Sequence, residues 1–98
     1  MDPNKHQNPN ALVLYRHRMR FTQKRVAQLL GMRSTCMLSR YERARSLPPL
    51  KTALRLGIIL RIPIEFLFPG VYDNLRNEIR QSEEQLARPV QQQLFKNN

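Results

Sequence analysis

Between Asn10 and Gly70 the sequence is cut into short apolar-periodic pieces by residues that stop helices, and no piece shows the sustained period-two alternation of a half-buried strand. In NALVLYRHRMR, Asn10 offers an N-cap, and Leu12, Tyr15 and Met19 share one helical face, with Arg16, Arg18 and Arg20 elsewhere. In FTQKRVAQLLG, Thr22 is a good cap, and Val26, Ala27 and Leu30 form an apolar stripe. Gly31 then suits the left-handed residue that closes a helix. A third helix is predicted over about 34–42, with Leu38 and Tyr41 three apart and Ser34, Thr35, Cys36, Ser39 and Arg40 on its other faces. SLPPL breaks the chain, and a proline in the first turn opens a fourth helix to about Leu60, carrying Leu50, Ala53, Leu54, Gly57 and Leu60. Pro63 opens a short fifth, IEFLF, which Pro69 and Gly70 close. The pattern predicts an all-α fold: a loose polar arm at 1–9, then a compact five-helix unit at 10–68.

Charge narrows the class further. The 98 residues carry 17 Lys and Arg against 7 Asp and Glu, a formal net charge of +10, which implies a polyanionic partner. Residues 1–68 hold thirteen of the cations and three of the acids, while residues 69–98 hold four of each, so the basic character belongs to the first segment alone. Within it Glu42 is the only acid between Asp2 and Glu65, and arginines surround it. An acid in so basic a run is expected where its removal would strand a partly buried cation; the plainer reading is a helix end in water.

Beyond Gly70 the composition changes. VYDNLRNEIRQSEEQLAR predicts an additional C-terminal helix with Tyr72, Leu75, Ile79 and Leu86 on a narrow seam and Arg80/Glu84 and Glu84/Arg88 as i,i+4 pairs, ended by Pro89. The seam within 69–98 has two readings. It folds back over the fifth helix, or it pairs with a second copy, which is the expectation preferred here.

Two short helices joined by a glycine turn inside a basic helical unit are the geometry in which a second helix enters a DNA major groove. FTQKRVAQLLG followed by STCMLSRYERARSLPPLKTALRLGIILRIPIEFLF resembles the helix-turn-helix domain shared by lambdoid phage repressors and bacterial xenobiotic-response-element (XRE) regulators, over about residues 12–68. The combination of Thr-Gln, Leu-Gly, Ser-Arg-Tyr-Glu, Leu-Pro and Phe-Leu-Phe is what carries the likeness. The resemblance implies a compact five-helix lambda-repressor-like DNA-binding domain with helix 22–30 as the second helix and 34–42 as the recognition helix. It implies base-facing roles for Ser34, Thr35, Cys36, Ser39 and Arg40, where arginine suits a guanine edge. It implies a phosphate contact for Gln23 and a largely buried pair of Arg16 with Glu42. From charge and position alone, Lys24 at a helix start and Arg33, Arg43, Arg45 and Lys51 flanking the third helix are read as further phosphate contacts. The chain departs from the family in three places: Gly31 to Glu42 is one residue longer than usual, Lys24 and Arg25 stand where acids are common, and Ala44 replaces a common glycine.

Other chemistries find little footing. The acids are too few and scattered for paired-carboxylate catalysis, and no nucleophile set or phosphate loop assembles, so no enzyme is expected. His6 and His17 lack ligand-like neighbours, so neither metal nor cofactor is expected. The single cysteine, Cys36, is read as a small neutral side chain and fits a reducing compartment. With no apolar run of membrane length and no signal-like start, a cytoplasmic protein off the membrane is expected. The leading expectation is a repressor-type homodimer on double-stranded DNA. The alternative is an antitoxin-like protein-interaction module whose tail binds a partner protein.

Overall fold

The computed structural model describes residues 9–96, with side chains described through residue 88, and they are all-helical, with no strand among them. Six helices follow in order: α1 (Leu12–Arg18), α2 (Gln23–Leu29), α3 (Cys36–Glu42), α4 (Leu50–Leu60), α5 (Ile64–Leu67) and α6 (Pro69–Lys96). Residues 1–8 of the predicted arm lie outside the described residues, and Pro9 is exposed. None of the described helices is long and apolar enough to cross a membrane.

The first five helices wrap one core. Leu12, Val26, Leu38, Tyr41, Leu56, Leu60 and Leu67 bury together, and Tyr15, Met19, Leu30 and Ile64 pack against them. Asn10 fixes the entry: its Oδ1 accepts from the Leu12 N–H at 3.0 Å while its Nδ2 donates to the Tyr41 carbonyl at 2.8 Å, so one buried amide starts α1 and ties it to α3. The Ala11 N–H donates to the Leu67 carbonyl at 2.9 Å, which brings α5 against the same point. Thr22 caps α2 by accepting from the Arg25 N–H at 3.0 Å.

Helices α1 to α4 end alike. After each, one residue turns left-handed: Arg20 (φ 59°), Gly31 (φ 77°), Ala44 (φ 58°) and Arg61 (φ 60°). The next amide reaches back to a carbonyl in the last turn: Phe21 to Arg16, Met32 to Ala27, Arg45 to Arg40 and Ile62 to Gly57, at 2.8–3.0 Å. This double-back satisfies the terminal carbonyls and turns the chain sharply. Only Gly31 occupies such a position without the steric cost that a Cβ incurs there.

Several sequence expectations need correction. The third helix starts at Cys36 rather than near residue 34, because Ser34 Oγ accepts from the Cys36 N–H at 3.3 Å and holds Ser34 and Thr35 in the turn. Met32 to Thr35 thus all lie in the turn before α3. On α4 the buried face is Ala53, Leu56, Gly57 and Leu60, while Leu50 (69% exposed) and Leu54 (47%) face outward. Gly57 is there for contact: a Cβ on it would sit 2.9 Å from the Ile62 carbonyl oxygen, so α5 closes directly on α4 backbone. Pro69 opens α6 rather than closing α5, consistent with proline's tolerance in a helix's first turn. Nor does Pro89 end α6, which runs on to Lys96; an interior proline disfavours a helix by losing one hydrogen bond without forbidding it. Arg80 pairs with Glu83 at 3.3 Å rather than with Glu84, while Glu84 and Arg88 sit 3.9 Å apart.

Helix α6 leaves the core after its first turns. Its residues through Arg88 are all exposed. The radius of gyration of 19.1 Å, against about 13 Å for a compact chain of this size, records that extension. Substitutions at two backbone positions should move stability in opposite directions. Gly57→Ala should lower the chemical denaturation midpoint through the clash with Ile62. Ala44→Gly should raise stability by about 0.5–1 kcal/mol by relieving a left-handed alanine.

Candidate nucleic-acid interface

The turn between α2 and α3 sets the geometry of the basic face. Gly31 reverses the chain, and Met32 to Thr35 carry it to α3, whose Leu38, Tyr41 and Glu42 are buried. At about 100° per residue, that burial leaves Cys36, Arg40 and Arg43 on the opposite side, with half-buried Ser39 beside them. Arg33 lies before the helix and Arg45 after it, both exposed. Lys24 is exposed on the first turn of α2, and Gln23 is half-buried. Thr35, at the α3 N-cap, is half-buried, and Ser34 is exposed in the turn.

The inner face is held by one carboxylate. Arg16 Nε donates to Glu42 Oε2 at 2.6 Å and Arg16 Nη2 to Oε1 at 3.3 Å, a two-pronged pair whose side chains are only 11% and 5% exposed. Gln23 Nε2 donates to the same Oε1 at 2.8 Å. Arg16 Nη1 meanwhile donates to the Phe21 carbonyl at 3.0 Å, in the α1–α2 turn. One side chain on α3 therefore takes hydrogen bonds from α1 and α2 together. Among the described residues no buried side-chain polar atom is left without a partner, so burial of the charge is matched by hydrogen bonding, as a buried ion pair requires.

Two residues of this face had no role assigned by the sequence. Ser46 Oγ accepts from Arg40 Nε at 3.3 Å, which restrains the arginine from the loop after α3. Met37 on α3 is 42% exposed beside Arg40, an apolar group on an otherwise polar surface. A serine six residues away from an arginine gives no sequence signal, whereas the burial of Leu38 and Tyr41 already implies that Met37 stands at the edge of the buried face.

The tail residues separate from this site. Tyr72 and Leu75 line an apolar groove of about 480 Å³ together with Leu47, Leu50, Ile64 and Phe68, while Ile79 and Leu86 lie farther along α6, exposed. Among the described residues, it is the start of α6 that folds against α5. No family model matches the chain, and no curated protein matches it.

The Glu42 cluster makes a sharp stability prediction. Glu42→Ala should cost about 3–5 kcal/mol in urea unfolding, because Arg16 is left buried and unpaired. Glu84→Ala, which removes an exposed acid of α6, should cost at most about 1 kcal/mol.

Proposed function

We propose that the chain is a sequence-specific, double-stranded DNA-binding transcriptional regulator of the lambda-repressor-like, XRE-type helix-turn-helix class, a repressor that acts as a homodimer. The observation that carries this reading is the two-sidedness of α3. Its inner face is locked by Glu42 to α1 and α2, and its outer face offers Cys36, Ser39 and Arg40 with arginines at both ends. A rigidly backed helix with short polar side chains and one guanidinium outward is suited to a major groove, where an arginine can donate to guanine O6 and N7 together. The hydrogen bond from Arg40 to Ser46 lowers the entropy lost when that arginine is aimed at a base edge.

Roles follow from position. Arg40 and Cys36 face base edges, with Ser39 at the side; Ser34 and Thr35, placed in the turn, meet the groove at its edge. Arg33, Arg43 and Arg45 flank the helix and Lys24 stands on α2, so they take phosphates on either side. Gln23 is already committed to Glu42 through one amide hydrogen, and its second hydrogen is the one offered to a phosphate. Positive charge on the first turn of α2, unfavourable by itself, becomes favourable beside a phosphate. The long exposed α6 favours a second reading, in which that helix holds a protein partner as in an antitoxin and DNA binding is secondary.

Selection of bound duplexes from a random pool tests the proposal. The expected outcome is an enriched inverted repeat, held far more tightly than scrambled DNA at physiological salt. Arg40→Ala should relax preference at one base pair at a cost of about 1–3 kcal/mol, and Lys24→Ala should weaken all sequences alike. No enrichment, with binding that vanishes as salt rises, would contradict it.

A further inference from the structure

Among the described residues, ten of the thirteen large hydrophobic side chains left exposed lie at or beyond Leu47, so most of the surface open to an apolar partner is separate from α1–α3. Five of them are on α6: Val71, Tyr72, Leu75, Ile79 and Leu86. A long helix whose described side chains are all exposed gains little from propensity alone, since most helical stability in proteins comes from covering an apolar face. The α6 seam has heptad spacing, with Tyr72, Ile79 and Leu86 at one core position and Leu75 and Ser82 at the other.

We infer that α6 pairs antiparallel with α6 of a second copy of this chain. The flanking charges choose both partner and direction. Arg76 and Glu83 occupy the positions just after the second core residue of each heptad, and Glu78 and Gln85 those just before the first. In a parallel pair Glu78 would meet Glu83 of the other copy twice, a like-charge contact on each side. In an antiparallel pair with Leu75 against Leu86, Arg76 meets Glu83 of the other copy twice, and Glu78 meets the neutral Gln85. The intrahelical pairs that Arg76 and Glu83 now make, with Asp73 at 3.4 Å and Arg80 at 3.3 Å, are at least half exposed, so they yield readily to an intermolecular partner.

The same register covers the groove. The far half of one α6 lies along the near half of the other, where Tyr72 and Leu75 continue the seam into the groove formed with Leu47, Leu50, Ile64 and Phe68. The symmetry axis passes between Arg80 and Gln81, about eleven residues from Pro69. At 1.5 Å per residue the two α6 starts stand roughly 34 Å apart. That is close to one turn of DNA, the separation of two half-sites. This last consequence rests on the proposed DNA reading, whereas the pairing does not.

Sedimentation equilibrium of the full chain without DNA tests the pairing, with helix content followed by circular dichroism. The wild type should show a monomer–dimer equilibrium. Glu83→Arg should weaken it about tenfold or more by facing Arg76, and adding Arg76→Glu should restore it. Stronger association of Glu83→Arg would mean a parallel pair, and unchanged association or a wild type that stays monomeric would mean no α6 interface; each overturns the inference. As a second measurement, Leu75→Cys and Leu86→Cys chains, each also carrying Cys36→Ser, are mixed and oxidised. Disulfides between unlike chains are expected, and disulfides only between like chains would overturn it. Because no DNA is present, failure here is separable from failure to enrich a DNA sequence.

Discussion

The Glu42 carboxylate is the point on which the first three helices depend. Three hydrogen bonds converge on it from Arg16 and Gln23, and Arg16 continues to the Phe21 carbonyl, so α1, α2, α3 and the turn between the first two share one network. Helices of seven residues are far too short to persist alone. Their mutual orientation comes from the core beneath them and from this charge cluster at its edge. An acid in an otherwise cationic segment is tolerable because it is consumed internally, and the outward field of that segment stays positive.

On the proposed DNA reading, fixing α3 from behind has a functional consequence. A helix that reads a groove must present side chains with little freedom to shift, since base contacts are lost over small displacements. Leu38 and Tyr41 supply packing, Asn10 ties the Tyr41 carbonyl to the start of α1, and Glu42 supplies direction. The exposed face is then free to carry residues chosen for a partner rather than for folding. Beyond Pro69 the chain changes character, with balanced charge and an apolar seam, which suits association with protein rather than with polyanion.

Much of the helical plan was legible because breakers and caps are chemically explicit: Thr22, Gly31, Pro49 and Pro63 stand at helix ends. The left-handed residues Arg20, Ala44 and Arg61 were illegible, since nothing in an arginine or alanine announces a positive φ and the turn hydrogen bonds alone hold them there. Leu50 and Leu54 misled because apolar residues occupy two faces of α4, and only the close approach of Ile62 and Ile64 to Gly57 decides which face is inner. The start of α3 was misplaced by a local serine bond that competes with the helix. At Pro69 and Pro89 residue type alone did not fix where α6 begins and ends. The Arg16 and Glu42 positions were named through family likeness, but Ser46 as a restraint on Arg40 depends on a loop path that spacing does not encode.

The measurement that bears most directly on the central claim is an NMR titration of the labelled chain with a short duplex containing its enriched site, following backbone amides and arginine side chains. The account predicts the largest shifts at Lys24, from Arg33 through Arg43, and at the Arg40 guanidinium, with the buried Arg16 signals nearly unmoved. Shifts confined to α4–α6, or spread evenly over every exposed cation, would contradict the claim that α3, braced by Glu42, is the reading element.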